Sequence, residues 1–328
     1  GIFALSFGAL AYTIYVFGSV PILSGNIEWA RNTFAVNSYI QRLLLTLYVA
    51  APIAVAYWLR FRRWTGLLGT MVVGAIAAFF VMASFYFILV IIVVSAVLYR
   101  YVAPRLDWRR MAAILLIAVV AKLAVDTFRF IRSGYFVQLT AGQDFPAVLA
   151  PFESDYFYLV MNLQVLQHLA EATPSIFPYQ DGYYLSYPVR ALFESSAAGR
   201  GRGKLSDALW QPSEEWFGFN SVTASCFGEP LEDFGLLGVW AWALGFGFCA
   251  AAAYARMRRR PSWLMVFIVA QFTLAILVSF FANVFALFDV YWAIAVALGF
   301  DQLCRIRAPQ AVLAPRPRAN LAIPPATV

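Results

Sequence analysis

Three hundred and twenty-eight residues, 62% of them apolar and only 12% charged, at a mean hydropathy of +0.72, depart from the composition of soluble chains, where about 25% is charged. A soluble globular protein is excluded. The net charge of +7, from 24 basic and 17 acidic residues, is not a nucleic-acid signature, because the basic residues sit in short breaks between apolar runs and there report topology.

The chain opens at Gly1 inside an apolar stretch, which predicts further residues or whole helices upstream. Segment 2–23 has neither a basic leader nor a small-residue cleavage site and reads as a span, not a signal peptide. Further spans are expected at 41–59, 65–82, 86–102, 111–128, 234–255, 263–281 and 288–303. Residues 65–102 have no polar break, yet as one helix they would extend about 57 Å against a hydrocarbon core of about 30 Å. They must cross twice, turning near Ala83 and Ser84. The expectation is an all-α, polytopic transmembrane bundle of at least eight spans, with a long outer loop between the fifth and sixth.

Alternate connections are arginine-rich: Arg60, Arg62 and Arg63, then Arg100 to Arg110, then Arg256 to Arg260, then the tail from Arg305. The positive-inside bias makes that face cytoplasmic and places both ends of this chain there. Four regions follow: helices in 1–128, a periplasmic module in 129–233, helices in 234–304, and a Pro- and Ala-rich cytoplasmic tail in 305–328 expected to be disordered. Within the module, Tyr158, Met161, Val165 and Leu169 form one helical stripe, and 197–204 reads as loop.

Several chemistries are excluded. The run Gly199 to Lys204 is followed by Leu205 and preceded by Ala198, so the phosphate-loop pattern fails at two positions. No dinucleotide fingerprint or HExxH motif occurs, and the single His168 cannot anchor zinc alone. Cys226, Cys249 and Cys304 are too few and too scattered for a disulfide framework or a metal knuckle. Neither a metal nor a cofactor is expected.

Other polar residues are more informative. Lys122, Asp126 and Arg129 lie four and three apart on the fifth span and share one side, with Arg132 about 60° further round. Two guanidinium groups at its outer mouth can grip a pyrophosphate or carboxylate. Arg31 follows Glu28 by three residues in the first outer loop, where a surface ion pair is the plainer reading. His168 precedes Glu171 by three and is the natural proton carrier near pH 7, although a structural histidine is equally consistent. Glu229, Glu232 and Asp233 stand just before the sixth span. Capping accounts for Glu232 and Asp233, which leaves Glu229 as the candidate base.

Two separated patches resemble the bacterial oligosaccharide repeat-unit polymerases of O-antigen and exopolysaccharide synthesis. One is Pro21, Ile22, Leu23, Glu28 and Arg31; the other is Gly228, Glu229, Asp233, Phe234, Gly235, Gly238 and Val239. The order of helices, the mouth arginines and the long outer loop match as well. Two features depart from the pattern: the turn between the third and fourth spans carries no arginine, and the long loop offers Arg200, Arg202, Lys204 and Trp210 without the usual Pro-Arg and Lys-Pro pairs.

The resemblance implies an inner-membrane glycosyltransferase acting at the periplasmic face. Its donor would be an oligosaccharide on undecaprenyl pyrophosphate, its partners a flippase and a chain-length regulator of the same pathway. It further implies a cationic clamp on the leaving pyrophosphate, drawn from Arg31, Arg129, Arg132 and Arg190, with Asp233 also in the substrate site. A base, Glu229 or His168, would deprotonate the acceptor hydroxyl. The alternatives are an O-antigen ligase-type transferase and a lipid-linked oligosaccharide flippase; a transporter predicts an internal repeat and broken helices, and neither is visible in the sequence.

Overall fold

Apolar runs rich in Leu, Val, Ala and Phe fold as helices because backbone N–H and C=O groups in apolar surroundings must pair within their own segment. The structure is a computed structural model that describes residues 1–24, 38–61, 65–82, 84–102, 116, 120, 153–175, 178–188, 190, 225–260, 262–279 and 288–307. Among these residues every extended element is helical: α1 (Ile2–Phe17), a 3-10 turn (Pro21–Leu23), α2 (Ser38–Phe61), α3 (Thr65–Val81), α4 (Phe85–Val102), α5 (Glu153–Ala172), α6 (Gly228–Arg259), α7 (Trp263–Leu277) and α8 (Phe288–Arg307).

The long apolar stretch does break where its length demands, with α3 ending at Val81 and α4 starting at Phe85. The expected first span is shorter than its apolar run. Gly18 takes a left-handed conformation (φ 66°), and its N–H bonds to the Ile14 carbonyl at 2.9 Å, a glycine C-cap that ends α1 before Pro21 begins the next turn. The expected span at 111–128 apart from Leu116 and Val120, with Lys122 and Asp126, the turn residue Ala83, the loop at 197–204 with Trp210, and the tail beyond Arg307 lie outside the described residues.

Helices α2 and α4 form the centre. The first contacts α1, α3, α4 and α8, and α7 contacts α4, α6 and α8. Leu47, Phe79, Val94, Leu98, Phe267 and Leu274 are sealed in this core, where Phe79 and Tyr48 both pack on the Phe87 ring at 4.9 and 5.3 Å. Truncating one such aromatic side chain to Ala costs about 3–5 kcal/mol. Trp263 at the start of α7 meets Phe300 late in α8 edge-on at 5.6 Å, and Phe246 of α6 meets Phe272 of α7 at 5.5 Å. Both contacts fit antiparallel neighbours.

A few polar groups are buried with the apolar core. Ser6 of α1 is buried and hydrogen-bonds the Thr46 hydroxyl of α2 at 2.7 Å, while donating to the Leu43 carbonyl at 2.7 Å. Helix α6 has the opposite character. Its 32 residues make it the one described helix long and apolar enough to cross a membrane, and only 6% of its most apolar window is buried within the fold. Five shorter apolar helical stretches accompany it: Ile2–Phe17, Ile40–Val55, Thr65–Val81, Tyr86–Tyr99 and Trp263–Leu277.

Candidate active site at the kink of α6

Helix α6 starts six residues before the expected span, because a glycine lets it bend. Gly235 sits at φ 65°, ψ −154°, backbone that in effect only glycine adopts. A Cβ there would lie 2.7 Å from the Tyr179 hydroxyl. The bend folds segment 228–234 back over the start of the straight helix, so that a Cβ on Gly238 would run into the Pro230 carbonyl oxygen. Close backbone approach is what Gly235 and Gly238 supply. On the other side, the Cys226 N–H bonds to the Ser279 carbonyl at 2.7 Å and ties the approach to α6 onto the end of α7.

The bend presents Asp233 to a segment of the chain nearly fifty residues away. Gln180 to Tyr183 form a tight turn in which Asp181 (φ 50°) and Gly182 (φ 85°) are both left-handed and the Tyr183 N–H returns to the Gln180 carbonyl at 2.9 Å. An Asp-Gly pair is the usual sequence for that geometry. The Asp233 carboxylate accepts the Tyr184 N–H on Oδ1 at 3.1 Å and the Leu185 N–H on Oδ2 at 2.8 Å. The N–H groups of Gln180 and Asp181 bond to the Glu232 and Asp233 carbonyls at 3.1 and 3.2 Å. Asp233 therefore caps the turn at 182–190, not α6 itself, whose first turn has no side-chain cap.

Arg190 closes this turn. Its Nη2 donates to the Tyr183 carbonyl at 2.6 Å, its Nε donates to the Ser186 hydroxyl at 3.2 Å, and its guanidinium lies 3.8 Å from the centre of the Tyr183 ring. Such stacking on a tyrosine face contributes about 0.5–2 kcal/mol. Arg190 and the three N–H bonds from Leu185, Tyr184 and Gly182 favour the Asp233 carboxylate, but burial outweighs them and its pKa is raised.

Glu232 is the most perturbed acid of the group. It is only 5% exposed, and its Oε2 is buried with no hydrogen-bond partner among the described residues. Burial first, then the charges of Glu229 and Asp233, push its pKa up to about 9, so it is protonated at neutral pH. Tyr184 is raised by burial, then by Glu232 and Asp233. Burial, then Glu229, pushes the Cys226 thiol up to about 11, which keeps it protonated and unreactive near pH 7.

Three of the expected site residues, Glu229, Asp233 and Arg190, thus meet in one cluster. His168 lies on α5, 39% exposed, with Nδ1 3.8 Å from Glu171 Oε2. Among the described residues it is not one of the groups whose charge shifts Glu232 or Asp233. Arg31, Arg129 and Arg132 lie outside the described residues, as does Glu28. The sequence assigns Glu232 to capping, although its place three after Glu229 puts those two acids on one helix face. Among the described residues no three His, Cys, Asp or Glu side chains are grouped to hold a metal ion. Compared with protein-family models, with curated proteins and with solved structures, the chain finds no match.

Proposed function

We propose that this chain is a polytopic protein of the bacterial inner membrane, with at least eight spans and both its ends cytoplasmic, that polymerises oligosaccharide repeat units carried on undecaprenyl pyrophosphate. The observation that carries the reading is the acidic ledge of Glu229 and Glu232, set at the kinked start of an apolar helix whose surface the fold leaves uncovered. A helix of that kind suits a hydrocarbon surrounding. The ledge at its mouth suits chemistry on a lipid-anchored substrate.

In the proposed reaction the acceptor sugar hydroxyl gives its proton to Glu229 as its oxygen bonds to the donor's anomeric carbon. The bond from that carbon to the pyrophosphate oxygen breaks, and the electron pair leaves with the lipid pyrophosphate. Arg190, with Arg31, Arg129 and Arg132, supplies positive charge to the leaving group, the preorganised electrostatics that acyl and phosphoryl transfer sites also use. Asp233 holds Arg190's segment in place beside the substrate.

The test is purified protein in liposomes given undecaprenyl-pyrophosphate oligosaccharide alone, with no nucleotide sugar and no lipid core. Longer glycans and free lipid pyrophosphate are expected, and Glu229→Gln should abolish elongation while donor binding persists. A protein idle until a lipid-core acceptor is added would be a ligase; one that relocates the lipid with its glycan unchanged would be a transporter. Should His168→Ala and not Glu229→Gln stop elongation, the base is His168.

A further inference from the structure

Asp233 is spent on backbone N–H groups, with both carboxylate oxygens engaged. Glu232 is not, and its position is unusual for an acid. It sits three residues after Glu229 on a helical turn, a spacing that brings Cβ atoms to about 5–6 Å. An Oε2 atom of each side chain is shielded from solvent, and that of Glu232 has no hydrogen-bond partner among the described residues. Two carboxylates so placed, out of water, cannot both be ionised without strong mutual repulsion.

We infer that Glu229 and Glu232 work as a carboxyl pair that holds one proton between them, Glu232 keeping it so that Glu229 stays charged and able to accept the acceptor's proton. This rests on the polymerase reading only for the identity of the proton donor; the pairing itself is a property of the ledge. On transfer, Glu229 gains the hydroxyl proton and both members are briefly neutral. One proton then leaves to solvent before the next cycle. Among the described residues the groups facing the pair include Asp233 on the same helix, Tyr184 from the turn packed against it, Cys226 before it, and, through Asp233, Arg190.

The sign of the pH effect follows. Between its ordinary value of 4.5 and about 9, Glu232 holds a proton in the folded chain that it has lost in the unfolded one. Stability contributed by that carboxyl therefore falls as pH rises through the window, is constant below it, and is constant again above it. Glu232→Gln copies the protonated form and needs no proton. Its thermal midpoint relative to the wild type should rise steadily from pH 5 to pH 9.

The pairing is tested without any substrate by an infrared pH titration of the purified chain, taking wild type minus Glu232→Gln difference spectra. A carboxylic acid C=O band is expected at pH 7 that is lost near pH 9, and Glu229→Gln, by removing the neighbouring charge, should move that loss to lower pH. Should Glu232→Gln not fold, Glu229→Gln alone still reports the shift. Absence of the band at pH 7, or a titration that Glu229→Gln leaves unmoved, overturns the pair. In the elongation assay Glu232→Gln should flatten the alkaline limb of the pH profile. A chain that shows the infrared shift but never elongates glycan retains the pair and loses the polymerase.

Discussion

Helix α6 is two segments of opposite character joined at Gly235. Before the bend, Gly228, Pro230, Leu231, Glu232 and Asp233 are all buried; after it, Leu236, Leu237, Trp240, Leu244 and Phe248 are all exposed, Leu237 to 81%. The polar half is inside and the apolar half outside, the reverse of a water-soluble helix. The difference shows that the fold invests its packing in the ledge and leaves the apolar length to other surroundings. Gly235 and Gly238 allow this, since without the bend the acids would continue along the exposed helix.

Three experiments test that contrast. Gly238→Val drives a branched side chain into the Pro230 carbonyl and should cost about 3 kcal/mol or more, read as a lowered thermal midpoint in detergent. A valine variant as stable as the wild type would show that the two halves are not in contact. Asp233→Ala should cost about 2 kcal/mol by orphaning the Tyr184 and Leu185 N–H groups. Hydrogen exchange should speed up at those two amides while the α6 amides after the bend keep their protection. The third compares one residue type on both sides of the bend. Leu231→Ala should cost about 2–3 kcal/mol because Leu231 is 4% exposed, whereas Leu237→Ala should change stability by less than about 0.5 kcal/mol. Equal losses at both positions would remove the distinction on which the α6 description depends.

The helices were legible because their signal is local. Length against hydrocarbon thickness was enough to divide 65–102, and α3 and α4 break within two residues of the expected turn. The stripe through Val165 and Leu169 of α5 marks a buried face, since both side chains are fully shielded. The site was less legible because its contacts are not local. Asp233 reads as a cap from its place before an apolar run, and it is one, but of a turn 48 and 49 residues earlier. The Asp181-Gly182 pair did carry a turn signal, yet nothing in spacing could show which carboxylate that turn would meet. Glu232 reads from the sequence as a cap and not as a buried acid because its burial depends on the bend at Gly235, a backbone state that the sequence offers only as a permission.

The Asp233 clasp also bears on which sequences this region can tolerate. The carboxylate grips main-chain N–H groups at Tyr184 and Leu185, so these hydrogen bonds specify a chain path and no residue identity. By that criterion nineteen of the twenty amino acids can stand at either position. Proline, having no N–H to give, is the single replacement that would unfasten it while leaving Asp233 untouched.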